Sequence, residues 1–246
     1  MPLSNLIDDA TRLLRDGIAR HAPAAFASSF GAEDMVLLDL IARLELDVDV
    51  FTLDTGRLHE ETRDLIARSG ERYGRPIRIL APQAAALEEF TGRFGVNAFY
   101  RDIALRRQCC AIRKTEPLAR ALAGKALWIT GLRREQSVTR AAVTPLEHDA
   151  ANGLMKLSPL AEWTHEDVWD YLRQFDVPVN ALHARGFPSI GCAPCTRAVQ
   201  PGEDPRAGRW WWEHPATREC GLHIAADGRL VRGPAHPTIP IQQRSP

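Results

Sequence analysis

Until about residue 175, apolar positions along the chain switch repeatedly between helical spacing and short unbroken runs. Leu6, Leu13, Leu14 and Ile18 fall on one face of a helix over about 5–20. Ala24-Ala25-Phe26-Ala27 then reads as a short buried strand ending in Ser28-Ser29-Phe30-Gly31. Met35, Val36, Leu37, Leu38, Leu40 and Ile41 belong to a helix, and Val48–Leu53 is a second strand ending in Asp54-Thr55-Gly56. A helix over about 58–70, a third strand over 76–80, a helix over about 84–94 and a longer one over about 102–123 follow. Ala126–Thr130 is a fourth strand, closed by Gly131. Leu154–Leu157 reads as a further edge strand and 164–175 as a last helix. Strands alternating with helices predict an α/β fold, a parallel sheet flanked by helices on both faces.

Past about residue 180 the periodicity disappears and Gly, Pro, Arg and Trp dominate. This predicts two units: a nucleotide-binding α/β domain over 1–180 and a long irregular C-terminal arm over 181–246. A disordered arm would rarely carry Trp210-Trp211-Trp212. There is no internal repeat.

Composition narrows the class. Hydrophobic residues make up 45% and formal net charge is +0, with a pI near 7.1. That argues against a general nucleic-acid or membrane-surface binder. No apolar run approaches the ~20 residues of a membrane span, and the N-terminus lacks the pattern of a signal peptide. The expected compartment is the cytoplasm, where cysteine groups bind metals or react more often than they form disulfides.

There are five cysteines. Cys109-Cys110 are adjacent, Cys192 and Cys195 form a CxxC, and Cys220 stands alone. Adjacent cysteines on a helix diverge by about 100°, which suits a single zinc ion poorly. A [4Fe–4S] cluster held by four thiolates accepts such neighbours more readily. The cluster therefore ranks ahead of zinc, and zinc ahead of buried free thiols. Lys114 lies one helical turn past Cys110 and shares its face. Cys220 is a candidate reactive thiol: Arg218, His223 and the nearby Arg206 and Arg209 would favour its thiolate. The bland alternative is a small buried side chain.

Three loops lie where α/β sheets bind ligands, beyond strand carboxyl ends. Ser28, Ser29, Phe30, Gly31 and Asp34 occupy the first, which is either an anion-binding loop or a helix cap. It is not a Walker A loop. Leu53, Asp54 and Thr55 occupy the second, where Asp54 suits a ribose hydroxyl or a cap. Gly131, Arg133, Arg134 and Arg140 occupy the third, where guanidinium forks match phosphate or sulfate oxygens. A solvated charged turn is the alternative there.

Together CC…CxxC, SFGAED, LDTGR, the RREQS run, GRWWWE and the ECGLH tail resemble the assimilatory adenylyl-sulfate reductases of the phosphoadenylyl-sulfate reductase superfamily. The resemblance spans roughly residues 20–225. It implies an adenine-nucleotide α-hydrolase-like fold, a [4Fe–4S] cluster on Cys109, Cys110, Cys192 and Cys195, and Cys220 as catalytic nucleophile. Lys114, Arg206, Arg209 and His223 would lie near the sulfate. The loop over Ser28–Asp34 would be a modified phosphate loop, with Arg133, Arg134 and Arg140 as further nucleotide contacts. Members with all four cluster cysteines generally reduce adenylyl sulfate, and those without them its 3′-phosphorylated form. The short stretch after Cys220 leaves no room for the fused redox domain of plant relatives, so a separate thioredoxin is implied as electron donor. Alternatives are reduction of the 3′-phosphorylated nucleotide, an ATP-using relative, and a structural zinc module. The sequence leaves a homo-oligomer open.

Overall fold

A computed structural model describes residues 1–136 and 140–214 of the protein. Its centre is one six-stranded sheet: β1 (Ala24–Ala27), β2 (Val48–Leu53), β3 (Arg78–Leu80), β4 (Leu127–Ile129), β5 (Leu146–Asp149) and β6 (Leu154–Leu157), in the order β3-β2-β1-β4-β6-β5. All pairings are parallel except β5 with β6.

The sheet departs from the expected one at its far side. Leu154–Leu157 lies inside the sheet, and the edge is β5, an antiparallel strand that the apolar pattern misses. The reason is physical. β5 reads Leu-Glu-His-Asp and no residue of it is buried, so its hydrogen bonds to β6 hold it rather than a core face.

Helices α1 (Leu3–Arg20), α2 (Ala32–Arg43), α3 (Glu60–Tyr73), α4 (Ala84–Phe94), α5 (Ile103–Cys110), α6 (Glu116–Leu122) and α7 (His165–Gln174) surround the sheet. α1 buries Leu6, Ala10, Leu14 and Gly17, a stripe at helical spacing. α2 is buried along most of its length, which explains its nearly unbroken apolar run. One core joins α1, α2 and α7 to Phe26, Val50 and Ile129. A second, on the other face, joins Leu118, Ala121 and Leu122 of α6 to Phe51 and Trp128. A third joins Phe90, Phe99 and Cys109, with Trp212 of the arm packed against it.

Two features place the chemistry. The chain leaves β1 toward β2 and β3, then returns for β4 on the opposite side, so a crevice opens at the β1/β4 carboxyl ends. Ladder bonds continue past the strands: Ser28 N–H donates to Phe51 O at 2.8 Å, Asp54 N–H to Leu80 O at 2.9 Å and Thr130 N–H to Leu157 O at 2.9 Å. The three loops are thus pinned where they leave the sheet. Second, the single helix expected over 102–123 is broken by a π-turn at Ala111–Thr115, immediately after the cysteine pair. Wide turns of this kind concentrate at functional sites. Residues 181–214 contain only short 3₁₀ turns and an isolated bridge between Thr196 and Arg209, as the lost periodicity implies. No helix among the described residues is long and apolar enough to cross a membrane.

Candidate active site

A cavity of about 560 Å³ occupies the crevice. Ser28, Ser29, Gly31 and Asp34 line it from the β1 loop, Leu53 and Thr55 from the β2 loop, and Gly131, Arg133 and Arg140 from the β4 loop. Lys114 lines it from the π-turn, and Arg206 and Arg209 from the arm. The sequence-predicted residues therefore converge, with three exceptions. Phe30 is fully buried in the core behind its loop. Asp54 caps its own turn, accepting Gly56 N–H at 2.8 Å. Arg134 turns away, donating to Val143 O at 2.7 Å and pairing with Glu162 at 2.5 Å. None of the three is among the cavity-lining residues. Cys220 and His223 lie outside the described residues.

The β1 loop is shaped by its own acid. Asp34 Oδ2 accepts both the Ser29 N–H at 2.5 Å and the Ser29 hydroxyl at 2.7 Å. The cap position of α2 is Gly31, without a side-chain bond, so the serines shape the loop rather than cap the helix. Phe30 holds a left-handed φ of 59°, and its burial offsets that strain. Burial lifts the Asp34 carboxyl to about 6; the Ser29 bonds oppose the rise, Glu33 adds to it and Arg140 opposes it. Gly131 must lack a side chain, because a Cβ there would overlap Asp34 Oδ1 and crowd Glu33. Arg133 is buried, pairing with Glu33 at 2.8 Å and Glu135 at 3.0 Å. Burial favours the neutral form of Glu33, but Arg133, Gln136 and a backbone hydrogen bond together outweigh it and hold that carboxyl below its usual range.

Beside this cavity lies a smaller one, lined by Cys109, Cys110, Cys192 and Cys195 together with Phe99, Arg57, Arg106, Arg113 and Lys114. The C-terminal end of α5 supplies the first pair, and a 3₁₀ turn at Ala193–Cys195 supplies the last thiol. Cys192 Sγ lies 3.3 Å from Thr55 Oγ1. Burial acts to raise the Cys192 thiol, but Lys114, Thr55, Arg209 and Arg113 together carry it below its usual value. Burial, with Cys192 and Cys110 close by, pushes the Cys195 thiol up to about 12. Among the described residues, no group of three or more His, Cys, Asp or Glu is arranged to hold a single metal ion.

Lys114 lines both cavities. Several neighbours escaped the sequence reading. Gln136, His165 and His183 also line the nucleotide-sized cavity, and Arg57, Arg106 and Arg113 line the cysteine cavity. The arginines carry no local signal because their partners are remote. Arg113 donates to Thr55 O, 58 residues away, and Arg106 to Glu213, 107 away.

The model of the phosphoadenosine phosphosulfate reductase domain family matches residues 23–198. The adenosine 5′-phosphosulfate reductase of Burkholderia cepacia is 57% identical over 205 residues, covering 83% of this chain and 82% of that protein. Its counterpart from Allochromatium vinosum is 56% identical over 198 residues, covering 80% and 77%. The crystal structure of phosphoadenylyl-sulfate (PAPS) reductase from Candida auris, a phosphate complex, resembles the fold with a TM-score of 0.66 at 26% identity, covering 80% of this chain and 96% of that one. FMN adenylyltransferase from Candida glabrata, solved with FAD and inorganic pyrophosphate, shares the fold alone, with a TM-score of 0.56 at 15% identity over 88% of this chain and 76% of that one. By the extent of these matches, the chain belongs to the phosphoadenosine phosphosulfate reductase family.

Proposed function

We propose that the protein reduces adenylyl sulfate to sulfite and AMP, as an oxidoreductase of sulfate assimilation in the cytoplasm. Relatives more than half identical bear the name of that activity. The observation that carries the reading is Lys114, one cation shared by a nucleotide-sized cavity and a four-cysteine cavity.

Cys220 supplies the nucleophile. Its thiolate attacks the sulfur of adenylyl sulfate, an S–S bond forms, and the S–O bond to phosphate breaks with its electron pair leaving on AMP. The enzyme then holds S-sulfocysteine. One thiolate of a thioredoxin attacks the Cys220 sulfur, and sulfite departs with the bonding pair. The second thioredoxin thiol closes the donor's disulfide and frees Cys220. Two electrons thus pass from a dithiol to sulfur. Lys114, Arg206 and Arg209 face the cavity, where they neutralise sulfate and leaving phosphate; donors of this kind supply a few kcal/mol each. His223 is a further candidate to assist, by the family resemblance. Ser28, Ser29 and Gly31 hold the nucleotide beside Leu53 and Thr55, with Arg133 and Arg140 opposite.

The four thiols fit a [4Fe–4S] cluster. They share one cavity with Arg57, Arg106, Arg113 and Lys114, whose charge would offset that of four thiolates. Held by Cys109 and Cys110 of α5 and by Cys192 and Cys195 of the arm, such a cluster would tie the two together and contribute to the field around Lys114. Residues 1–180 then act as the nucleotide-binding unit and 181–246 as the arm that delivers Cys220.

Anaerobic incubation with adenylyl sulfate, without thioredoxin, followed by peptide mass mapping tests the reading. A single sulfo adduct on the Cys220 peptide is the expected result. The family description and the Candida auris structure favour a second reading, reduction of the 3′-phosphorylated nucleotide. An adduct with that nucleotide alone would establish it, and no adduct with either would overturn both.

A further inference from the structure

Arg106 lies on α5 just ahead of the cysteine pair, and its side chain is 0% exposed. A buried guanidinium persists only where its charge and donors are matched. The match comes from the arm: Arg106 Nε donates to Glu213 Oε1 at 2.8 Å and Nη2 to Oε2 at 2.9 Å, a two-pronged bond between side chains 0% and 4% exposed. The same guanidinium lies 4.9 Å from the Trp210 ring centre, and that of Arg209 lies 4.7 Å from it. Arg106 also hydrogen-bonds the Cys110 side chain and lines the cysteine cavity. Trp210 lines the nucleotide-sized cavity, and its backbone N–H donates to Cys195 O at 3.1 Å.

A buried ion pair is a poor source of net stability, because apolar side chains of similar volume commonly do as well or better. What a two-pronged charged bond supplies is a fixed direction. Here it fixes the segment that holds Arg206 and Arg209 in the nucleotide cavity and leads on to Cys220. We infer that Arg106 and Glu213 are positioning residues for sulfur transfer, registering the arm on the cysteine-bearing helix so that Arg206 and Arg209 face the nucleotide cavity in a fixed geometry. This rests on the reading of Cys220 given above.

Glu213→Gln and Glu213→Asp test it in the iron-loaded enzyme. The first keeps the shape and removes the charge; the second keeps the charge and shortens the reach. Four quantities are compared with wild type: iron and sulfide content, AMP affinity by calorimetry, amide exchange over residues 206–214, and the rate of sulfo-adduct formation per iron-loaded molecule. Both variants are expected to hold iron and AMP within twofold of wild type. Exchange over 206–214 should accelerate, and adduct formation should slow roughly 30–100-fold, the scale of an ångström-level misplacement. An unchanged adduct rate overturns the inference. So does a parallel loss of iron, AMP binding and rate in both variants, since that marks the pair as merely structural. Failure of wild type itself to form an adduct with either sulfonucleotide would instead remove the nucleophile assignment.

Discussion

Phe26 in β1 and Trp210 in the arm are equally sealed from solvent, at 0% and 1% exposure. Phe26 sits in extended backbone between Val50 and Ile129 of its neighbouring strands, inside a large apolar core. Trp210 takes a left-handed φ of 43° between two arginines, beside the isolated Thr196–Arg209 bridge. The sheet is held by many non-directional contacts that share the load. The described part of the arm relies on fewer and more directional bonds, the buried Arg106–Glu213 pair foremost, with Trp212 packed against the third core. Damage to the sheet should therefore lower stability and leave the chemistry of surviving molecules intact. Damage to the arm should do the reverse.

The strongest break in this contrast is Cys192→Ser. It should abolish both the iron-dependent colour and turnover, and a variant that keeps both would remove Cys192 from the ligand set. Phe26→Ala should cost about 3–5 kcal/mol of unfolding free energy in urea titration, much of a typical domain's stability, with iron-normalised turnover of the folded fraction near wild type. Lys114→Ala should lower the adduct rate about 10²-fold while the urea midpoint holds; equal rates would reduce it to a cavity-wall lysine. Gly131→Ala lies on the sheet side yet should weaken AMP binding about tenfold by displacing Asp34, an overpacking cost of ~1–3 kcal/mol, measured by calorimetry.

The smallest effect concerns pH. Asp34 titrates near 6 in the fold against ~3.9 in an unfolded chain. Between those values the folded state binds more protons, so this group makes stability fall as pH rises from about 4 to 6, with the full cost present above that window. Asp34→Asn should remove that part of the slope in urea titrations across pH 4–7, and an unchanged slope would refute the assignment.

The sequence exposes the parts of this design that repeat locally. α1, α2, β1, β2 and β4 announce themselves because burial follows their own periods. β5 does not, since Leu146–Asp149 is an exposed edge held by backbone bonds. The π-turn is equally silent, as Ala111–Thr115 reads like ordinary helix. At the site, the loops and cysteines follow from motif and strand-end position. The orientation of Arg134 depends on Glu162 and Val143 and so requires the fold. The pairing of Arg106 with Glu213 joins positions 107 residues apart, beyond the reach of any local pattern.

Lys114 stands in the wall between two cavities, and that placement has a thermodynamic corollary. Its charge helps draw the Cys192 thiol toward its deprotonated form, and the same charge faces whatever anion enters the nucleotide cavity. A nucleotide phosphate or sulfate that engages Lys114 withdraws part of that support from the sulfurs. By linkage, a charge shared by the two cavities ties the affinity of one for an anion to the charge held in the other, equally in both directions. An anion drawn to one side of Lys114 is therefore expected to alter the balance of charge on the other, without any movement of the backbone between them.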